Sequence, residues 1–145
     1  MPLLNARGMD AINFTAEDIS GNKVELFAYK DKVVVLDFWA TWCGPCRREI
    51  PNLIDLNKTF KNDPFEIISI ALERNAYADE AAKRFVKDQK MNWTHIINGR
   101  VGSEIANKYG IRYIPSVFVI KNGKILAAGL HGDSLKNKIK QLLKK

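Results

Sequence analysis

Val33-Val34-Val35-Leu36-Asp37-Phe38-Trp39-Ala40-Thr41-Trp42-Cys43-Gly44-Pro45-Cys46 is an apolar, β-branched run that ends on two thiols. From Val33 to Phe38 it has the near-continuous hydrophobicity of a strand buried on both faces. After Cys43 the period changes, and Ile50, Leu53, Ile54, Leu56 and Phe60 recur at helical spacing. The two cysteines therefore lie where a strand hands over to a helix. In that first turn, unpaired backbone N–H groups and the positive helix end favour a thiolate on the earlier sulfur, and a thiolate is the nucleophile of disulfide exchange. Cys43 is accordingly the expected attacking thiol and the more exposed one. Cys46, one turn away, is placed to resolve the mixed disulfide that Cys43 makes. Pro45 suits the first turn because its missing N–H is not needed there, and Gly44 leaves Cys43 accessible.

Working outward, Phe65 to Ala71 is a second buried strand, and the intervening helix, which Pro51 is expected to kink, makes a right-handed βαβ unit. Glu73 to Ala78 is a polar connection, followed by a helix from about Asp79 to Lys90 with Ala82, Phe85 and Val86 inward. Trp93 to Ile97 is a candidate strand, and Ser103 to Tyr109 a short helix stopped by Gly110. Ser116 to Ile120 and Lys124 to Ala128 flank Asn122-Gly123, a hairpin signal that makes the sheet mixed. A last helix begins near Asp133-Ser134 and turns Leu135, Ile139, Leu142 and Leu143 inward. Upstream, residues 1–12 are an irregular lead-in. Asn13 to Ala16 and Lys23 to Leu26 form a small hairpin over one end of the sheet, within 13–30.

The 145 residues, 46% hydrophobic, fit one α/β domain over 1–145, with no repeats. The net charge of +7 comes from scattered Lys and Arg, densest at Lys136, Lys138, Lys140, Lys144 and Lys145, the pattern of a solvated helix face and not of a nucleic-acid surface. No stretch approaches the roughly 18 apolar residues of a membrane helix. Met1 to Arg7 lacks the basic and apolar segments of a leader, which in a full-length chain implies the cytoplasm. His95 and His131 are far apart and do not complete a zinc site with the two cysteines.

The strand, the Trp-Cys-Gly-Pro-Cys segment, the kinked helix and Tyr113-Ile114-Pro115-Ser116 before an antiparallel hairpin resemble the thioredoxin fold from about residue 30 onward. The leading hairpin, Arg47-Arg48-Glu49-Ile50-Pro51-Asn52-Leu53 and the extra helix-bearing segment around 73–92 are more similar to the TlpA/ResA type of thiol-disulfide oxidoreductase, related to the AhpC/TSA proteins. The resemblance implies a mixed central sheet flanked by helices, with the core in 31–145. It also implies a bacterial protein of the periplasm or cell envelope that reduces disulfides in a protein substrate. Its electron donor would be another redox protein. No cofactor is implied beyond the Cys43–Cys46 disulfide, and a monomer is expected.

Burial should raise the pKa of Asp37 and let it relay a proton to or from Cys46. Thioredoxins have that role at the matching position, whereas many ResA-like proteins have a neutral residue there. Glu49 lies three residues after Cys46 on nearly the same helix face. The resemblance makes it an acid that tunes the thiols; the alternative is an ordinary exposed Glu. Pro115 is implied to be cis, freeing the backbone of Ile114 to pair with an extended substrate that Trp42, Gly44 and Pro45 also border. Trp39 is expected to pack beneath the site. Two other readings are set against the same residues. A peroxiredoxin-type peroxidase needs a Pro-x-x-x-Thr-x-x-Cys frame where this chain has Leu36 and Ala40. A binding module is the other: a Cu(I) metallochaperone using the two soft thiolates, with a further ligand such as His131, or a redox-silent chaperone.

Overall fold

The computed structural model describes residues 8–144. Its main sheet has six strands in the order β1-β8-β7-β4-β5-β6, with ranges β1 Met9–Asp10, β4 Val33–Trp39, β5 Phe65–Ala71, β6 Thr94–Ile96, β7 Ser116–Lys121 and β8 Lys124–Ala128. The pairs β4/β5 and β5/β6 are parallel, whereas β4/β7, β7/β8 and β1/β8 are antiparallel. All seven residues of β4 are buried, as its continuous hydrophobicity requires of a central strand.

Alternation along β4 separates two cores. Val34, Leu36 and Phe38 face α3 (Gly99–Lys108) and the two-stranded hairpin β2 (Thr15–Glu17)/β3 (Lys23–Glu25), whose Ala16 and Val24 pack with them. The hairpin thus covers a face of the sheet, not one end. Val33 and Val35 meet Leu53 and Leu56 of α1 (Gly44–Thr59) and Leu135 and Ile139 of α4 (Gly132–Leu143). Trp39 packs with Ile50 of α1 and with Ala82 and Val86 of α2 (Ala76–Asp88). Asp37 has the parity of Val35 and Trp39, so it lies on the α1 side of the sheet.

Helix α1 runs through Pro51 without a break. The lead-in is not wholly irregular: Met9 and Asp10 pair with Ile125 and Lys124, while residues 1–7 of it lie outside the described residues. Helix α2 starts at Ala76 because the Asn75 side chain accepts the N–H of Ala78, a cap inside what reads as a polar connection. Helix α3 starts at Gly99, four residues before Ser103, capped by Asn98 through the N–H of Val101. Its glycines argue against helix by propensity. They are used for close approach: a Cβ on Gly99 would lie 2.6 Å from the Glu73 carbonyl oxygen, and one on Gly102 2.9 Å from that of Ala71. In α4 Leu135 and Ile139 are fully buried, but Leu142 and Leu143 only partly. The β7–β8 turn has positive φ at Asn122 (53°) and Gly123 (72°), as an Asn-Gly hairpin turn requires.

Candidate active site

Beyond Trp39 the chain leaves the sheet in a tight turn, closed by the Cys43 N–H donating to the Ala40 carbonyl at 3.2 Å. Cys43 is the N-cap of α1, and its sulfur accepts the Cys46 backbone N–H at 3.2 Å. Cys43 and Cys46 are joined in a disulfide with a Cα separation of 5.3 Å. On reduction, the N–H aimed at Cys43 Sγ and the helix end behind it favour negative charge on that sulfur. Both cysteines are buried, at 6% and 3% exposure, so Cys43 is only marginally the more open in the oxidised form. What distinguishes it is its neighbour: Cys43 Sγ lies 3.8 Å from the carbonyl oxygen of Ile114, and the Ile114–Pro115 bond is cis. Gly44 and Pro45 are exposed, and Trp42, 51% exposed, stands at the rim. Trp39 is buried against Phe85.

Asp37 is buried at 3% exposure and accepts a hydrogen bond from the Ser69 hydroxyl at 2.8 Å. Ser69 is its register partner on β5, and Ser69 Oγ in turn accepts from the Trp93 indole N–H at 2.9 Å. Burial is the main force on Asp37; the Ser69 bond opposes it and the Glu49 charge adds to it, leaving the carboxyl pKa pushed up to about 7. His95 pairs in register with Ser69 and is buried, with Nε2 2.8 Å from the Met91 carbonyl. Burial pushes its pKa down to about 4, so at neutral pH the ring is uncharged and Nε2 is the nitrogen that donates to Met91.

Glu49 is half-buried and ties two helices together. Its Oε2 accepts the N–H of Gly132 at 2.9 Å, at the start of α4, and its Oε1 accepts from the Asn52 side chain at 3.1 Å. The N-cap of α4, His131, makes no side-chain cap bond, so the Glu49 carboxylate does that work from α1. Its position corresponds to neither expectation alone: it is a helix cap whose charge also reaches Asp37.

Three consecutive residues after β5 hold the turn that carries Cys43. The Thr41 N–H and hydroxyl donate to the two carboxylate oxygens of buried Glu73 at 2.7 and 3.0 Å. The Trp42 indole N–H donates to the Leu72 carbonyl at 3.2 Å, and the Arg74 guanidinium lies 4.9 Å from the Trp42 ring centroid. Ser69, Trp93 and Glu73 are absent from the sequence-level candidates. The one available signal was Ser69, a lone hydroxyl in an apolar strand. Glu73 has the look of an ordinary connection residue.

The model of the AhpC/TSA family matches residues 8–128. Among curated proteins, the chain is 36% identical over 139 residues to the thiol-disulfide oxidoreductase ResA of Bacillus thuringiensis subsp. konkukian, covering 95% of this chain and 77% of that one. Among solved structures, it is similar to the thioredoxin domain of a thiol-disulfide oxidoreductase from Bacteroides vulgatus, with TM-score 0.85, 30% identity and coverage of 95% and 98%. A thiol:disulfide interchange protein from a Bacteroides species aligns with TM-score 0.84 at 29% identity, covering 97% of this chain and 91% of that one.

Proposed function

The chain belongs to the AhpC/TSA family, and on that premise we propose that it is a thiol-disulfide oxidoreductase working as a reductant of protein disulfides. The observation that carries this reading is the Cys43–Cys46 disulfide at the N-terminus of α1, with Cys43 Sγ 3.8 Å from the Ile114 carbonyl beside a cis proline. In the reduced enzyme the Cys43 thiolate attacks one sulfur of the substrate disulfide. That bond breaks, the departing substrate sulfur takes up a proton, and a mixed disulfide joins Cys43 to the substrate. Cys46, as a thiolate, then attacks Cys43, releases the second substrate thiolate and leaves the enzyme as the disulfide. Two electrons pass to the substrate and none is left over.

Asp37 is the group to which we assign the Cys46 proton. A carboxyl that titrates at about 7 exchanges a proton with a thiol near neutral pH more readily than an ordinary one. Glu49 acts through Asp37 and through α4, as a positioning residue. Trp42, Gly44, Pro45, Ile114 and Pro115 border the substrate, and the backbone at Ile114 pairs with the substrate's extended backbone. The couple needs no other cofactor, and a second redox protein returns the enzyme to the dithiol. Following the TlpA/ResA resemblance, we place the activity in the bacterial cell envelope. Among the described residues, no helix is long and apolar enough to cross a membrane.

The experiment is insulin reduction with dithiothreitol as donor, comparing the wild type with Cys43→Ser and Cys46→Ser. The wild type is expected to reduce insulin and both variants to lose turnover, with Cys46→Ser trapping a mixed disulfide. Wild-type-like turnover by the Cys46→Ser variant would overturn the two-thiol scheme.

A further inference from the structure

Four of the chain's seven arginines gather around the cysteine pair, and among the described residues no lysine lines the hollows beside it. Arg47 follows Cys46 on α1 and is exposed. Arg48 lines the hollow that Pro45 shares with Pro115. Arg74 lies over the Trp42 ring. Arg112 lines two hollows beside the cis proline, one of them a cavity of about 460 Å³ between Trp42 and Tyr113, floored by Leu72, Ile111 and Ile114. None of the four is in an ion pair among the described residues.

The carboxylates nearby are already engaged within the protein. Glu73 is bonded to Thr41, Glu49 to Gly132, and Asp37 is buried on Ser69. Glu49 lines the same hollow as Arg48, but both of its oxygens are already bonded, so the unpartnered charge of this face is guanidinium, set around two exposed aromatics, Trp42 at 51% and Tyr113 at 67%. Guanidinium pairs with carboxylate through parallel hydrogen bonds and stacks on aromatic rings, which a lysine ammonium does not match. The lysines that dominate the overall charge lie elsewhere, so general solubility does not account for this arrangement.

We propose that this face selects, as its substrate class, protein disulfides whose cysteines are flanked by Asp or Glu, with an apolar side chain next to the attacked cysteine filling the hollow between Trp42 and Tyr113. The inference rests on the thiol-disulfide reading above and specifies its substrate. The carboxylates meet Arg112 and Arg74 on one side of the cysteine pair and Arg48 on the other. Attraction between the rim and an acidic segment raises the encounter rate and is screened within about 10 Å at ordinary ionic strength.

The test uses two synthetic peptides with the same intramolecular disulfide ring, one flanked by Asp and Glu and the other by Lys. Their reduction by the reduced full chain is followed at low and high salt, beside a small neutral disulfide. At low salt the acidic peptide is expected to have a kcat/KM at least about tenfold higher, a gap that closes in high salt. The double variant Arg74→Gln/Arg112→Gln is expected to lose most of the preference. A charge-matched control, Lys140→Gln/Lys144→Gln, is expected to keep it. Equal rates for the two peptides, a preference for the basic one, or equal loss in both double variants would overturn the proposal. If the small neutral disulfide is reduced in those cases, the thiol-disulfide reading survives. If nothing is reduced, both readings fall.

Discussion

Asp37 takes its hydrogen bond from Ser69, and Ser69 Oγ is itself occupied by the Trp93 N–H, so the serine proton is turned toward the carboxylate. That proton stabilises the charged form, while burial and the Glu49 charge disfavour it. Opposite changes should therefore move Asp37 in opposite directions. Ser69→Ala is expected to raise its pKa, and Glu49→Gln to lower it, each on the order of one pH unit. The amide oxygen that Glu49→Gln introduces can still accept the Gly132 N–H, so α4 should keep its cap. A carboxyl-carbon NMR titration of Asp37 in the oxidised protein reads both effects, and the pH dependence of insulin reduction should follow them. Titration of both variants with the wild type would detach Ser69 and Glu49 from the chemistry.

Helix α3 and strand β5 meet at backbone distance, and that contact reaches the cysteines. Gly99 abuts the Glu73 carbonyl and donates its N–H to Asp79 at 3.1 Å, while the Glu73 side chain holds Thr41 two residues before Cys43. A methyl at Gly99 cannot be accommodated at 2.6 Å from a carbonyl oxygen, so helix or connector must shift. Gly99→Ala is expected to cost roughly 1–3 kcal/mol of stability. It should also loosen the Thr41–Trp42 turn, seen as a change in Trp42 fluorescence and faster amide exchange at Thr41. An unchanged urea midpoint with native Thr41 protection would mean that the glycine is not needed there. Sequence reading places α3 too late for the same reason: glycine is a poor helix former, and nothing local shows that a neighbouring strand requires it.

Across the molecule, two buried groups couple folding to pH with opposite sign. Asp37 has a folded pKa of about 7 against an ordinary 3.8, so the folded state binds the extra proton and stability rises as pH falls through that window. His95, at about 4 against 6.5, binds its proton preferentially when unfolded, so stability falls as pH drops across that range. The two trends offset each other in the wild type. Asp37→Asn removes the first and leaves the second. Relative to wild type, the oxidised variant is expected to gain on the order of 3 kcal/mol at pH 8 and to lose that advantage by pH 4. Urea unfolding at the two pH values measures the difference directly, and a difference independent of pH would contradict the raised Asp37 pKa.

The sequence by itself determined the handover from β4 to α1 with Cys43 and Cys46 at the join, the Asn122-Gly123 hairpin, the insertion helix and the burial of Asp37. Each of these is written in local periodicity, turn chemistry or a charge set among apolar residues. The resemblance added Pro115 and its cis bond. Only the tertiary structure decided that Ser69 and Trp93 face Asp37, that Glu73 grips Thr41, that Glu49 caps α4 and that Arg74 and Arg112 come to the rim of the disulfide site. Those partners are separated by tens of residues, and strand register and helix packing bring them together. Register follows from how whole faces pack, and no single stretch of sequence carries it.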